Sequence, residues 1–266
     1  MRIVVCLKQV VDPEIPPQQF KVDRDTRSQI RGDLPLVMGN FDACALEIGL
    51  QLKEATAGTL TALSLGAASA RDMLRQALAV GADDARLLSD AAFDGGDSFA
   101  TARALAAALR LLPSADVMLC GRQASDFEAG QVGGYLAEQL GLPLVSLVRA
   151  VGVAGGRLRA RRVTEVGDEV VDVQIPAVVT VTNDDRNVPR LATVRALLLA
   201  GRREIPVWDL AALGLTPAEV GRAAARTEVL ALEVPEAAPA CEMIDGASPA
   251  EQAVRLARRL RELQLL

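Results

Sequence analysis

The sequence contains no histidine, and lysine and aromatic residues are scarce. Among its 266 residues 3% are aromatic, and the only lysines are Lys8, Lys21 and Lys53. Without histidine, imidazole acid–base catalysis, Ser–His and Cys–His nucleophile pairs and most zinc sites are excluded. If the chain takes part in redox chemistry, a cofactor must carry that chemistry.

The cysteines are few and widely spaced. Cys6, Cys44, Cys120 and Cys241 form no C-x-x-C pair, which indicates buried free thiols of a reducing compartment rather than disulfides or metal ligands. No apolar run approaches the roughly 20 residues of a membrane span, and the N-terminus begins with a strand pattern instead of signal-peptide features. We therefore expect a cytoplasmic protein that is not embedded in a membrane.

The charge balance is acidic, with a formal net charge of −5. Together with the lack of a basic–aromatic stripe, this argues against nucleic acid as the main partner. Half of the residues are hydrophobic, so the chain can bury a full core made mainly of Ala, Val and Leu. Its length suits one large α/β domain with an appendage, or two small domains.

The first half of the chain alternates short apolar runs with helical patterns. The predicted strands span residues 2–7, 59–65, 84–88 and 117–120, and the predicted helices span residues 42–54, 69–80, 97–112 and 136–140. Residues 8–17, which contain three prolines, are predicted to be a loop. This alternation predicts a Rossmann-like α/β fold with a doubly wound, mostly parallel sheet. Ligands of such sheets bind beyond the carboxyl ends of the strands.

The pattern changes after Pro143. Alternating segments at 146–153, 157–164 and 169–174 predict an antiparallel meander at the edge of the sheet. A further strand at 175–181 starts with a proline near its first residue, where no ladder donor is needed. An exposed polar loop, residues 182–190, precedes a helix-prone run at 194–199.

The C-terminal part has a looser texture and predicts an extended arm. Ser248, Pro249 and Glu251 form a helix-start signal, and the helix that follows carries regularly spaced apolar residues at Ala253, Leu256 and Leu260. These positions could dock on this chain or on a partner. We therefore divide the chain into a nucleotide-binding α/β domain, residues 1–205, and an arm with its helix, residues 206–266.

The stretch from Cys120 to Tyr135 is the strongest candidate for a ligand site. It reads C-G-R-Q-A-S-D-F-E-A-G-Q-V-G-G-Y and leads from a strand into a helix. Free N–H groups at a helix N-terminus attract anions, and glycines allow close backbone approach. The acidic pair Asp126 and Glu128 could bind metal, act as acid and base, or lie in a solvated loop. Neither a Walker lysine loop nor G-x-G-x-x-G follows the first strand, so the residues indicate nucleotide binding without a visible catalytic apparatus.

At residues 121–133 the sequence resembles the β subunit of electron transfer flavoproteins. Members of that family have G-[KR]-Q-A-I-D-x-D-x-x-Q-[TV]-G, against G-R-Q-A-S-D-F-E-A-G-Q-V-G here. Four further stretches agree with the family in order and spacing: V-V-C-L-K-Q-V-V-D, M-G-N-F-D-A-C-A-L-E-I-G-L-Q-L-K, L-S-L-G…A-L-A-V-G-A-D and I-P-A-V-V-T-V-T-N-D-D-R-N-V-P-R-L-A-T. The resemblance covers about residues 1–210.

The resemblance implies an FAD-containing heterodimer with an α subunit, which carries electrons between dehydrogenases and an acceptor. The β subunit would supply a nucleotide-binding domain of the adenine-nucleotide α-hydrolase type and an arm that wraps the partner. The residues implied to contact the nucleotide are Cys6, Gly39, Asn40, Phe41, Asp42, Leu65, Gly66, Gly121, Arg122, Gln123, Ala124, Ser125, Asp126, Phe127, Glu128, Ala129, Gly130, Gln131 and Val132. The loop implied to recognise a flavin dehydrogenase contains Asn183, Asp184, Asp185, Arg186, Asn187, Val188 and Pro189.

The departures from the family pattern bear on the partner and on the nucleotide. Arg186 stands where the family usually has a leucine that inserts into the dehydrogenase. Residues 129–133, A-G-Q-V-G, resemble bifurcating members that hold a second FAD rather than members that hold AMP, which have Asn-Gln-Thr-Gly. Phe127, however, replaces a glycine of the FAD-holding members and could obstruct the site or stack on the ligand. We favour a second FAD over AMP as the nucleotide of this subunit.

Two other function classes stay open at this point. One is a stand-alone, stress-type adenine-nucleotide-binding protein without redox function, against which the meander, the polar loop and the terminal helix count. The other is an ATP-cleaving enzyme, which the missing Walker lysine and the missing metal cluster disfavour.

Overall fold

The computed structural model describes residues 1–234 and 241–266. The strands are β1 (Arg2–Cys6), β2 (Gln9–Val11), β3 (Val22–Asp23), β4 (Ser28–Gln29), β5 (Leu36–Met38), β6 (Thr59–Leu65), β7 (Asp84–Leu88), β8 (Val117–Gly121), β9 (Leu144–Ala154), β10 (Arg157–Thr164), β11 (Gly167–Val173), β12 (Ala177–Val181) and β13 (Val207–Trp208). The helices are α1 (Asn40–Thr56), α2 (Ala70–Val80), α3 (Ser98–Leu111), α4 (Val132–Leu140), α5 (Val194–Gly201), α6 (Gly221–Ala224) and α7 (Pro249–Glu262).

The main sheet has the strand order β11-β10-β9-β12-β8-β1-β6-β7-β13. From β9 to β13 in this order, every pair of neighbouring strands is parallel. β10 pairs antiparallel with both β9 and β11, and these three strands form a meander. β1 lies between β6 and β8, at the centre of the seven strands that pair in parallel. Each parallel crossover carries a helix, and these helices cover the faces of the sheet. The predicted doubly wound sheet with a meander at its edge is confirmed.

Two hydrophobic cores lie on opposite faces of the sheet. Along β1, Ile3 and Val5 pack on the side of α1 and α2, and Val4 packs on the side of α3 and α4. This alternation is the two-residue period of a strand that is buried on both faces. The second core depends on the small side chains of the alanine-rich helix α3, which lie directly against the sheet.

The body of the domain continues beyond residue 205. Val207–Trp208 adds a parallel edge strand beside β7, and Leu213 and Val220 are buried in the same core as α3. Residues 206–224, which the sequence pattern assigned to the arm, therefore pack on the sheet. Within this segment Pro217–Glu219 forms a single 3₁₀ turn. The predicted loop at 8–17 contains β2, which pairs with β5.

The C-terminal helix has the predicted start. The Ser248 side chain accepts a hydrogen bond from the Glu251 backbone N–H, and Pro249 occupies the first turn. Within the described ranges no residue of α7 is buried, and Leu256 is 46% exposed. The helix thus carries an apolar stripe that the described part of this chain does not cover.

The cysteine prediction is confirmed for three positions and wrong for one. Cys6, Cys44 and Cys120 are buried free thiols, whereas Cys241 is free and exposed in an irregular segment before α7. Over residues 1–234 and 241–266 we find no helix with the length and apolar character needed to span a bilayer.

Candidate functional site

The exits of the central strands meet at the carboxyl edge of the sheet, as the topology predicts. Cys6 of β1 and Cys120 of β8 occupy paired positions on neighbouring strands, and the Leu7 backbone N–H donates to Leu63 O of β6. The three segments that follow these strands therefore begin side by side. They include most of the residues that the resemblance implied to contact a nucleotide.

Asp42 joins the exits of β1 and β8. It lies in the first turn of α1 and is buried, with 7% of its surface exposed. Its Oδ2 accepts a hydrogen bond from the Lys8 backbone N–H at 2.7 Å, and its Oδ1 accepts one from the Gly121 backbone N–H at 3.0 Å. One carboxylate thus satisfies two strand-end donors that would otherwise be buried without partners.

The charge of Asp42 is opposed by its surroundings. Burial raises the pKa of this carboxyl to about 7, although the hydrogen bonds from the Lys8 and Gly121 backbones and the charge of Lys8 act to lower it. Removal from water disfavours the anion, and the two N–H donors favour it. The effect of burial is the larger of the two, so the pKa of this carboxyl lies near neutral pH.

Glycine is required at position 121 by this arrangement. A Cβ there would lie 2.4 Å from Asp42 Oδ1 and 2.9 Å from the Phe41 carbonyl carbon. Real Cβ atoms do not approach backbone that closely, so any side chain would push α1 and β8 apart. The family motif begins with this glycine for a packing reason.

The segment that follows, residues 121–131, is called the glycine loop from here on. Its first half is fastened: Lys8 Nζ bonds both carboxylate oxygens of Asp126, at 2.8 and 2.6 Å, and the Arg122 guanidinium lies 4.9 Å from the centre of the Phe41 ring. Its second half is exposed, and Glu128 and Gly130 have positive φ angles of 51° and 63°. The loop therefore reverses direction on the surface before α4 begins.

Several features of the glycine loop fit an anionic ligand. Among the described residues no side chain caps the N-terminus of α4, so its first N–H groups are free to bind an anion. The buried Ser125 Oγ has no hydrogen-bond partner within the described part of the chain, as expected of a group that awaits a ligand. At Gly133 a Cβ would lie 2.3 Å from Thr180 Cγ2, so this glycine lets α4 lie against β12.

The acidic pair of the loop does not form a metal site. Asp126 is neutralised by Lys8, and Glu128 points into solvent. Across the described ranges no group of three or more His, Cys, Asp or Glu side chains is placed to hold a metal ion. The structure therefore favours the interpretation that this pair lies in a solvated loop, and that Asp126 holds the loop in place through its ion pair with Lys8.

A cavity of about 350 Å³ opens where β1, β6 and β7 end, and Lys8, which pairs with Asp126 of the glycine loop, is one of its lining residues. The sequence motifs pointed to Leu65 and Gly66 in its wall but not to the charged residues, although Lys8 follows β1 by two residues and is one of three lysines. Its walls include Lys8, Gln9, Arg31, Leu65, Gly66 and Asp90.

The implied nucleotide contacts differ in accessibility. Cys6 packs in the core below the edge, and Phe127 is 61% exposed, with Lys8 Nζ 5.8 Å from its ring centre. Phe127 thus lies on the outside of the loop. The implied contact residues that are buried or partly buried are Gly39, Phe41, Asp42, Leu65, Gly66, Gly121, Arg122, Gln123, Ala124, Ser125 and Val132. Those that are exposed are Asn40, Asp126, Glu128, Ala129, Gly130 and Gln131.

The polar loop, residues 182–190, leaves the same edge of the sheet and supports itself. The Asn187 side chain is 1% exposed; its Nδ2 donates to Thr182 O and its Oδ1 accepts from the Asp184 backbone N–H, both at 2.8 Å. The Arg149 guanidinium links Asp184 to Asp168 of the meander. The loop is therefore ordered without a partner.

The end of the polar loop is tied to α1. Arg190 Nε and Nη2 donate to the two carboxylate oxygens of Glu47 at 2.8 and 2.9 Å, and Arg190 also pairs with Glu54. Burial opposes ionisation of Glu47, but the hydrogen bonds from Arg190 and Gln51 prevail and lower its pKa. Glu47 thus remains an anion and holds Arg190 in place.

The outer surface of this region is apolar. Val188 is 66% exposed and Leu191 is 94% exposed, and the stripe continues on α5 with Val194 and Leu198, which are 74% and 67% exposed. Arg186, 58% of whose side chain is exposed, lies beside this stripe. None of Leu191, Val194 and Leu198 was predicted to be a surface residue. The apolar run that contains Val194 and Leu198 also fits a buried helix. Exposed apolar patches of this kind mark interaction surfaces.

The fold and the carboxyl-edge site place the protein in the class of Rossmann-like α/β domains with a helix-opening glycine loop. Its family follows from comparison with known proteins. The family model described as "Electron transfer flavoprotein domain" matches residues 30–213. The chain belongs to the electron transfer flavoprotein family, among its β subunits.

Individual relatives agree with this assignment. The chain is 36% identical over 267 residues to the caffeyl-CoA reductase–Etf complex subunit CarD of Acetobacterium woodii, with 100% of both chains covered. It is 38% identical over 242 residues to the electron transfer flavoprotein subunit beta of Megasphaera elsdenii, with 88% of both chains covered. It is 37% identical over 245 residues to the subunit of the same name from Clostridium acetobutylicum, with 92% of both chains covered.

Proposed function

We propose that this protein is the β subunit of a heterodimer that contains FAD and carries electrons between a flavin dehydrogenase and an acceptor. The observation that carries the proposal is the family match over residues 30–213, which includes both loops at the carboxyl edge. The flavin supplies the redox chemistry, since the chain has no histidine and no nucleophile–base set. The chain's own residues bind and orient the nucleotide and present surfaces to partners.

The proposed partner within the heterodimer is an α subunit, which the arm and α7 contact. Two observations support this: α7 carries Leu256 and Val254 in the open, and the relative CarD is named as a subunit of a complex. The flavin dehydrogenase would dock at residues 182–190, where Val188 and Leu191 are exposed on an ordered loop. Arg186 would then face an acidic group of the partner, whereas a leucine at this position would fill a pocket of the partner.

The nucleotide proposed for this subunit is a second FAD rather than AMP. Gly130 adopts φ +63°, and the nearest atom to a Cβ built there is Arg122 O at 3.4 Å. The Cβ alone would make an ordinary van der Waals contact, so only a longer side chain, such as the asparagine of the AMP-holding members, would take up room that glycine leaves for a pyrophosphate. Phe127 is 61% exposed, and we propose that it leaves this room to the ligand.

The test is to identify the nucleotides of the purified complex. The chain is co-expressed with its α subunit, the nucleotides are released with acid, and they are identified by chromatography. Two flavins per heterodimer support the proposal, and one flavin with one AMP overturns the second FAD. A product without flavin that remains alone or pairs with itself would favour the stress-type, stand-alone alternative.

A matched pair of variants sharpens this test. Asparagine tolerates positive φ, so Gly130→Asn keeps the loop conformation but fills the space beside Arg122 O. We expect the second flavin to be lost or replaced by AMP. Gly141→Asn is the control, because Gly141 has φ +65° but no atom within 4 Å of a Cβ built there. This variant should retain the flavin content of the unmodified complex.

A further inference from the structure

We infer that Asp97 is a positioning residue that fixes where the C-terminal arm leaves the domain, and that it thereby holds the arm's partner over the edge that carries the glycine loop. The first residues of the arm, 226–229, are called the arm root here. The inference rests on the proposed function only for the identity of the partner. The fastening itself is a property of this chain.

Asp97 divides its two carboxylate oxygens between a helix and the arm root. Oδ1 caps α3 and accepts hydrogen bonds from the backbone N–H groups of Phe99 and Ala100, both at 3.0 Å. Oδ2 accepts from the backbone N–H groups of Arg226 and Thr227, at 2.8 and 2.9 Å, and from Thr227 Oγ1 at 3.0 Å. Helix capping needs one oxygen, which serine also supplies, so the second oxygen is specific to the arm root.

The ionisation of Asp97 strengthens these bonds. Burial opposes ionisation, but the hydrogen bonds from Ala100, Arg226 and Thr227 prevail and lower the pKa of the carboxyl. The group is therefore an anion at neutral pH. Hydrogen bonds to an ionised acceptor are stronger than those between neutral groups.

Two further contacts fasten the arm root. Arg27, in the turn between β3 and β4, donates to Glu228 Oε1 at 2.7 Å and to Val229 O at 2.9 Å. The Arg226 guanidinium lies 3.6 Å from the centre of the Phe99 ring, and Phe99 meets Tyr135 of α4 edge-on, with ring centres 5.5 Å apart. The arm root is thus held against the start of α3, whose Phe99 in turn contacts α4, the helix that follows the glycine loop.

The contacts of the arm root lie at the same edge of the sheet as the glycine loop. α3 starts in the connection that follows β7, and the β3–β4 turn lies in the connection that follows β1. Both connections leave parallel strands at their carboxyl ends, which is the edge that carries the glycine loop. A partner gripped by the arm is therefore held over that edge, near any nucleotide bound there.

The experiment compares two aspartates that have the same double role. Asp97→Ser keeps a cap for α3 and removes the oxygen that binds the arm root. In the full chain, hydrogen exchange at the Arg226 and Thr227 amides should accelerate about tenfold or more, with α3 residues 98–111 unchanged. The control is Asp90→Ser, because Asp90 caps a 3₁₀ turn through Ala92 N and binds Leu210 N, and it should leave the arm root unchanged.

Two outcomes of this measurement would overturn the inference. In one, the arm-root amides of Asp97→Ser exchange at the rate of the unmodified chain. In the other, the α3 amides accelerate as much as those of the arm root, so that Asp97 is only a helix cap.

A second measurement tests the positioning of the partner. With the α subunit, Asp97→Ser should weaken association about fivefold, because the arm is no longer preorganised, while the bound nucleotide is unchanged. Equal affinity of Asp97→Ser and the unmodified chain would overturn the positioning role. If the unmodified chain does not bind the α subunit at all, the proposed function fails, and hydrogen exchange still decides whether Asp97 fastens the arm root.

Discussion

The glycine loop and the polar loop leave the sheet from paired residues, Gly121 of β8 and Val181 of β12, yet they are held in opposite ways. The glycine loop depends on groups from elsewhere, the Asp42 carboxylate of α1 and the Lys8 ammonium beyond β1. The polar loop depends on its own Asn187 amide and on buried or half-buried arginine pairs. In the part of the chain that the structure describes, the glycine loop has a buried hydroxyl without a hydrogen-bond partner, Ser125 Oγ, whereas no buried side-chain N or O atom within residues 182–190 lacks one.

This difference indicates which of the two loops binds a small ligand. A loop that carries free N–H groups, positive φ angles and an unpaired buried hydroxyl gains order when a small anion binds. A loop whose polar groups are already paired, and whose exposed side chains are apolar, loses little entropy when it meets a protein surface. Four sets of substitutions test the comparison, and they follow here from the largest expected effect to the smallest.

Gly121→Ala should break the junction between α1, β1 and β8. The new Cβ would lie 2.4 Å from Asp42 Oδ1, so we expect the free energy of unfolding to fall by about 3 kcal/mol, with loss of bound nucleotide. Urea denaturation measures the first effect. Gly134→Ala is the control, because no atom lies within 4 Å of its added Cβ; it should gain up to about 1 kcal/mol. Similar stabilities of the two variants would contradict the packing argument.

Asn187→Ala should open the polar loop and leave the glycine loop unchanged. It leaves Thr182 O and the Asp184 N–H buried without their partner, at a cost of about 2 kcal/mol in the free energy of unfolding. Bound nucleotide should stay at the level of the unmodified protein. Asp185→Ala, at an exposed position of the same loop, should change stability by less than about 0.5 kcal/mol. A loss of nucleotide in Asn187→Ala would contradict the independence of the two loops.

Asp42→Asn tests the buried carboxyl through its pH dependence. At pH 5 the variant should be less stable by about 1.5 kcal/mol, because its amide NH₂ faces a backbone N–H donor. The folded-state pKa of Asp42 is about 7 against 3.8 for an ordinary aspartate, so the folded state binds more protons between these values. Stability of the unmodified protein therefore falls as pH rises through this window, by at most about 1.4 kcal/mol per pH unit.

Asparagine does not titrate, so the advantage of about 1.5 kcal/mol that the unmodified protein has at pH 5 should shrink as pH rises and reverse in sign by pH 8, because about 1.4 kcal/mol is lost per pH unit below the folded-state pKa. Denaturation curves at several pH values measure it. A gap that is constant with pH would show that Asp42 ionises normally.

Glu47→Gln and Glu54→Gln compare a buried and an exposed partner of Arg190. Glu47 is 6% exposed, and its replacement should cost about 1 kcal/mol at pH 7. The Glu54 side chain is 60% exposed, and its replacement should cost less than about 0.5 kcal/mol. Because the folded-state pKa of Glu47 is lowered, its contribution is present above the unfolded pKa and is lost as pH falls through the folded value. Equal effects of the two variants would contradict the role of burial.

Much of this architecture could be predicted from local patterns. The strand at residues 59–65 agrees with the structure at both ends, because its β-branched and aliphatic run ends at a glycine. The helix that begins after Ser248 is confirmed because its start signal is a local hydrogen bond. The motif of the glycine loop marked the correct edge of the sheet.

Other features could not be read from one stretch of chain. Val207–Trp208 joins the sheet because β7 presents an unpaired edge, and nothing near residue 207 announces this. Lys8 and Asp126 are 118 residues apart in sequence, so their ion pair was not a pattern. Val194 and Leu198 fit a buried helix equally well, and only the position of α5 in the fold leaves them exposed.

The sequence by itself determined the alternation of strands and helices, the family and the edge at which the loops lie, because periodicity, caps and glycine positions act over a few residues. Only the tertiary structure decided what each loop rests on. Asp42 binds two strand ends and Asp97 binds the arm root through contacts that span 34, 79 and 129 residues. Such contacts depend on how the helices pack on the sheet, and the cost of burying a charge there is set by the surroundings and not by the residue.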